Sequence, residues 1–189
     1  MKAARLSIVL SLLIVVLTSL TGSQVQIEGK VSATRPEIAN CIMLVKVVAR
    51  QGSRVLASGH ELLDTTGVYV LPINAGITPT QQRPVDIFVA GLGLDTMYVK
   101  SYYSFTGSRM VLNIKVPNEY VKDASGNVVC PKCGGIEDIL PVKYGTHHRI
   151  KRTIHNGDTT YVPLDHNIPS EMFSDLHPYW YCNKCKIQF

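Results

Sequence analysis

Val25-Gln26-Ile27-Glu28-Gly29-Lys30-Val31 alternates apolar and polar side chains, with glycine at the one inward position that holds no apolar residue. Successive side chains of a strand point to opposite faces, so this run reads as a strand with one buried and one wet face. The same reading extends along the chain to Ile42–Arg50, Arg54–Ser58, Val68–Leu71, Val85–Ala90, Met97–Tyr103 and Met110–Val116, each bounded by turn-forming residues. Seven short β-branched runs within about ninety residues predict an antiparallel two-layer sandwich. The first run is expected at an edge. Pro72, Pro79 and Pro84 mark a long loop over Pro72–Pro84, longer than a compact sandwich needs.

Two details carry a family resemblance. Val25-Gln26-Ile27-Glu28-Gly29-Lys30-Val31 resembles the opening x-x-G-x-V strand of the carboxypeptidase regulatory-like family, whose sandwiches have the transthyretin-type, or prealbumin-like, architecture. Asp64-Thr65-Thr66-Gly67-Val68-Tyr69-Val70-Leu71 is similar to its D-x-x-G-x-Y-x-L hairpin. The chemistry of that pattern is local: Asp closes a turn, Gly supplies a positive φ, and Tyr and Leu alternate into the core. The resemblance covers about half the chain, and the sandwich domain it implies, 24–118, is non-catalytic. It implies a structural or adhesive role on a fold that hosts many functions.

Residues 1–23 read as a signal peptide. Lys2 and Arg5 form a basic start, Ile8 to Leu17 an apolar core, and Thr21-Gly22-Ser23 a small-residue cleavage region, with cleavage expected after Ser23. The alternative, an uncleaved anchor, is weakened because the strongly apolar run from Leu6 to Leu20 is shorter than the roughly 20 residues of a span. The expected product is secreted or periplasmic, with no membrane span after cleavage. Losing Lys2 and Arg5 lowers the net charge from +5 to +3. Residues 24–118 then carry 9 basic and 6 acidic side chains and residues 119–189 carry 8 of each, so neither half offers a phosphate-binding surface for nucleic acid.

After a polar, turn-rich linker at 119–127 the composition changes. Cys130-Pro131-Lys132-Cys133-Gly134 and Cys182-Asn183-Lys184-Cys185 form two C-x-x-C knuckles with 48 residues between them. Each knuckle aims two thiolates at one point while backbone N–H groups donate to sulfur, and two of them complete the tetrahedral shell preferred by Zn2+. The pair resembles a zinc ribbon over 128–189, with flanking strands expected at Ile136–Val142 and Tyr179–Phe189. The expected metal ligands are Cys130, Cys133, Cys182 and Cys185. Disulfides, plausible for an exported chain, a redox pair and an iron site of the same geometry are the competing readings. A full thiolate shell leaves no open position for substrate, which favours a structural staple; zinc and four thiolates would bring the mature charge to about +1. Cys41 is expected to be reduced and buried, as a small apolar residue.

The insert between the knuckles begins His147-His148-Arg149-Ile150-Lys151-Arg152 and carries Asn156-Gly157 between two β-prone stretches, which predicts a projecting hairpin over 147–162. His147, His148, His155, His166 and His177, with Asp158, Asp165 and Asp175, lack the spacing of a metalloprotease or hydrolase motif and are expected to be surface or locally packed residues. Trp180 with Tyr179 and Tyr181 is expected to cover the ribbon's small core. The whole reads as a mainly β protein, a seven-stranded antiparallel β-sandwich plus a small C-terminal zinc ribbon. The expected role is non-enzymatic binding or assembly at a bacterial cell envelope, with an envelope protein or glycan as partner. Metal handling, in which the ribbon delivers or senses zinc, and a metal-dependent hydrolase using the insert histidines are the alternatives.

Overall fold

A computed structural model describes residues 24–34, 45–59, 67–91, 94–117, 119–144, 149–155, 158–168 and 178–189. Residues 1–23, Cys41, Asp64-Thr65-Thr66, His147, His148, Asn156-Gly157, Asp175 and His177 lie outside them. Among the described residues every regular element is a strand, and no helix is long and apolar enough to cross a membrane.

The N-terminal strands are β1 (Gln24–Ala33), β2 (Val45–Gln51), β3 (Arg54–Ser58), β4 (Val68–Asn74), β5 (Val85–Gly91), β6 (Leu94–Tyr102), β7 (Arg109–Val111) and β8 (Ile114–Val116). One layer is β4-β1 with β7 and β8 on the far side of β1; the other runs β6-β5-β2-β3. Their inner faces, including Ile27, Leu71, Val47, Ile87, Met97 and Ile114, form one buried core. β4 shows the pattern most plainly, since Tyr69, Leu71 and Ile73 are buried while Val68, Val70 and Pro72 between them are exposed.

The expected sandwich is present, with differences in how it closes. β1 is not an edge strand: it pairs antiparallel with β4 and parallel with both β7 and β8. Alternation reports one wet face, and a strand in the middle of a one-sided sheet has that as surely as an edge strand does. The expected Met110–Val116 strand is split in two at Leu112-Asn113, where it passes Gly29. A Cβ on Gly29 would overlap the Leu112 carbonyl oxygen, so only glycine fits in the middle of β1. Three hydrogen bonds mend the break: Leu112 N to Glu28 O (2.8 Å), Tyr69 Oη to Leu112 O (2.5 Å) and Lys30 N to Asn113 Oδ1 (3.1 Å). The expected Pro72–Pro84 loop is shorter at its start, because β4 continues through Pro72 to Asn74. Proline is tolerated there because β4 is an edge strand and its N–H side need not pair.

The stretch read as a linker, 119–127, carries half of a small hairpin formed by β9 (Val121–Lys122) and β10 (Val128–Val129). Its turn is closed by Asp123, whose carboxylate accepts from the Ser125 and Asn127 amides (2.9 and 2.8 Å) and the Asn127 side chain. The side-chain hydrogen bond from Asn127, helped by the backbone donors, holds the Asp123 carboxyl below the usual carboxylate range. Beyond it come β11 (Ile139–Tyr144), β12 (Ile150–His155), β13 (Asp158–Pro163), β14 (His166–Ile168), β15 (Trp180–Cys182) and β16 (Ile187–Gln188). β12 and β13 form the expected hairpin, from Ile150↔Pro163 to His155↔Asp158.

The ribbon strands continue the second sandwich sheet, whose order is β14-β11-β15-β16-β6-β5-β2-β3. The joint is a parallel bridge, Gln188↔Met97. Across it lies a second core in which Tyr98 and Phe88 of the sandwich pack with Val128, Cys130, Cys182, Ile187 and Phe189. Strands β5 and β6 are therefore covered on both faces, and the near-continuous apolar run Val85–Ala90 is the corresponding sequence pattern.

Candidate metal centre

The first knuckle follows β10. Cys130 N donates to Gly135 O (3.0 Å) and Gly134 N to Cys130 O (2.9 Å), while Gly134 takes φ +70° to turn the chain. The second knuckle is the turn of the β15–β16 hairpin, closed by reciprocal Trp180–Phe189 backbone bonds of 3.0 and 2.8 Å. Lys186 sits one residue after the second cysteine, as Gly134 does in the first knuckle, and takes φ +54°, the left-handed region that side chains seldom enter. Asn183 N donates to Asp138 O (2.8 Å), tying the two knuckle regions together.

These turns bring the sulfurs of Cys130, Cys133, Cys182 and Cys185 within 4.8 Å of one another. Cys133 Sγ and Cys182 Sγ are 3.9 Å apart. A tetrahedron with zinc–sulfur bonds of about 2.3 Å has an edge of about 3.8 Å, whereas a disulfide requires about 2.05 Å. The four are free thiols, and their spacing fits one metal ion between them. Cys130 and Cys182 are buried, Cys185 is half-buried, and Cys133 is the outermost.

The protonation pattern is that of a crowded thiol cluster. Burial pushes the Cys130 thiol up to about 11, against the pull of the Cys133 and Lys132 amides. Burial, reinforced by its cysteine neighbours, pushes Cys185 up further. Cys133 goes the other way: burial would raise it, but the Gly135 amide and the thiols of Cys185, Cys130 and Cys182 together stabilise its thiolate. The thiolate is thus favoured at the most accessible of the four sulfurs. Cys185 N also donates to Cys182 Sγ at 3.4 Å, the N–H···S bond that such a knuckle provides.

A polar link beside the cluster had no motif to announce it. Lys132, inside the first knuckle, places Nζ 2.6 Å from Asp86 Oδ2 on β5, and the other Asp86 oxygen accepts from Ser101, which is bonded in turn to Tyr98. The available signal was Asp86 itself, one carboxylate in an otherwise apolar strand: a buried charge needs a partner.

Among the described residues the four cysteines are the only convergence of three or more metal-ligating side chains. His166 stacks face to face on Tyr181 with ring centroids 3.7 Å apart, and His155 lies at the end of β12, in a different sheet. Asp165 is buried and accepts from Arg149 N (3.3 Å). Trp180 packs against the second core and meets Tyr120 edge-on at 5.8 Å, in the covering role expected of it. No protein-family model, curated protein or solved structure matches the chain. Fold and site together define an all-β protein with a four-cysteine cluster near its C-terminus.

Proposed function

We propose that the chain is an exported, non-enzymatic binding or assembly module of a bacterial cell envelope, with a structural Zn2+ held by Cys130, Cys133, Cys182 and Cys185. The observation that carries this reading is the convergence of four sulfurs from two separated knuckles inside the core that joins ribbon to sandwich. Four thiolates fill a tetrahedral shell, so the ion has no position left for water or substrate, and its binding energy goes into folding. The N-terminal half supports the regulatory-like assignment: Gly67 takes φ +69°, with Tyr69 and Leu71 buried after it, as the D-x-x-G-x-Y-x-L pattern requires. The module's contact surface is the β12–β13 hairpin. Ile154 and Tyr161 are each 60% exposed on it, and Arg149 leads into β12, which carries Lys151 and Arg152, so an envelope glycan or protein with acidic groups is the partner it suits.

A second reading, metal delivery or sensing, is favoured by the outward position of Cys133, which borders a groove of about 420 Å3. Exchange kinetics separate the two: a staple gives up zinc slowly and unfolds, whereas a carrier exchanges within about seconds and keeps its fold. The main test is metal analysis and crosslinked partner recovery on one sample purified from the native envelope. One zinc per chain with a reproducible glycan or protein partner is expected. Partner-free monomer with catalytic turnover overturns the proposal, as does unchanged zinc stoichiometry in Cys130→Ser or Cys185→Ser.

A further inference from the structure

Where the ribbon meets the sandwich, a depression with a volume of about 440 Å3 is lined by Arg50, Asp86, Lys132 and Lys186, with Phe88 and Tyr181 among its apolar walls. Its charges are unbalanced. Asp86 is the single carboxylate among the described lining residues, and both of its oxygens are engaged, one by Lys132 and one by Ser101. Lys186 Nζ reaches the neutral Asn183 Oδ1 at 2.6 Å. The Arg50 guanidinium lies over the Phe88 ring, 5.2 Å from its centroid, and its buried Nε has no hydrogen-bond partner among the described residues. Among the described lining side chains three cations face one carboxylate, an excess of +2 before the Cys185 sulfur is counted, and Arg50 and Lys186 have no ion-pair partner among the described residues.

The Arg50 guanidinium lines the depression, and a planar fork of donors is matched best by an oxyanion. We propose that this depression binds a phosphate monoester, its dianionic phosphate between Arg50 and Lys186 and its organic part against Phe88 and Tyr181. Arg–phosphate contacts are charge-assisted and commonly bidentate. The cavity is several times the size of a bare phosphate, which leaves room for an ester. A zinc–thiolate cluster adjoining at Cys185 would add negative charge, so moderate affinity is expected rather than tight retention. The inference needs no particular metal in the cysteine cluster.

Calorimetric titration of the full chain with inorganic phosphate and with glycerol phosphate, in buffer free of other oxyanions, tests it. Glycerol phosphate is expected to saturate one site with Kd below about 1 mM, and more tightly than inorganic phosphate. Arg50→Gln, Arg50→Lys and Lys186→Asn should each weaken it about tenfold or more; Arg50→Lys keeps the charge but loses the fork, and Asn tolerates the positive φ of Lys186. Metal content and circular dichroism on the same samples distinguish loss of the anion site from loss of the metal centre. No saturation by about 10 mM, or unchanged affinity in the variants, overturns the proposal. Equal affinity for the two probes overturns the ester and leaves a site for free phosphate.

Discussion

Replacing Phe189 by alanine should loosen the sandwich–ribbon junction and the metal centre together. Phe189 is 2% exposed, packs in the core with Tyr98, Ile187, Cys130 and Cys182, and pairs its backbone with Trp180. Truncating a buried phenylalanine costs about 3–5 kcal/mol in lost transfer energy and residual cavity, out of a typical total of about 5–15 kcal/mol. If the ribbon folds around its ion, the same loss appears as weakened metal binding, about a hundredfold to several thousandfold at 1.4 kcal/mol per decade. Trp180, the protein's one tryptophan, lies beside this core and reports its opening. Urea unfolding followed by tryptophan fluorescence, with zinc affinity from competition against a chromophoric chelator, measures both effects. Phe189→Leu keeps most of the volume and should cost less than about 1.5 kcal/mol. An alanine variant with parental midpoint and parental zinc affinity would refute the shared core.

Other perturbations reach separate parts of the molecule. Gly29→Ala should destabilise the sandwich by at least about 2 kcal/mol in urea titrations, because its methyl meets backbone rather than a movable side-chain tip. Lys132→Ala leaves the Asp86 carboxylate without its ion partner and should cost about 2–3 kcal/mol, somewhat less than a fully buried pair because Lys132 is 24% exposed; a double-mutant cycle with Asp86→Ala should return most of that as coupling. The raised Cys130 and Cys185 thiols keep their protons at neutral pH, so an incoming ion must displace both. Metal affinity should therefore fall about a hundredfold or more for each unit that pH drops below 7, as read by chelator competition. The metal-free fold has the opposite dependence. Thiols whose folded value is raised contribute stability below the ordinary thiol range, near 8.5, and lose it as pH rises toward about 11 for Cys130.

Much of this arrangement can be read from short stretches of chain. The strands of the sandwich follow from period-two alternation, the hairpin of β12 and β13 from the residues around Asn156-Gly157, and each sulfur pair from its own C-x-x-C knuckle, because each depends on contacts a few residues apart. Gly134 could be anticipated in its turn; Lys186 at the matching position could not, since lysine has no preference for positive φ and is held there by the closure of the β15–β16 hairpin.

Pairing and layering lie beyond that range. Alternation places Ile27 inward, yet it does not say that β1 lies between β4 and the β7–β8 pair, or that Gly29 faces a carbonyl more than eighty residues away. The apolar outer side of β5 and β6 marks a surface that has to be covered without saying by what. The cover is the ribbon, brought there by the Gln188↔Met97 bridge, the Lys132–Asp86 pair and the packing of Tyr98 against Cys130 and Phe189. Residues close in the chain set local conformation through backbone sterics and side-chain periodicity. Which distant surfaces meet depends on the free energy of burying them together, summed over the whole fold.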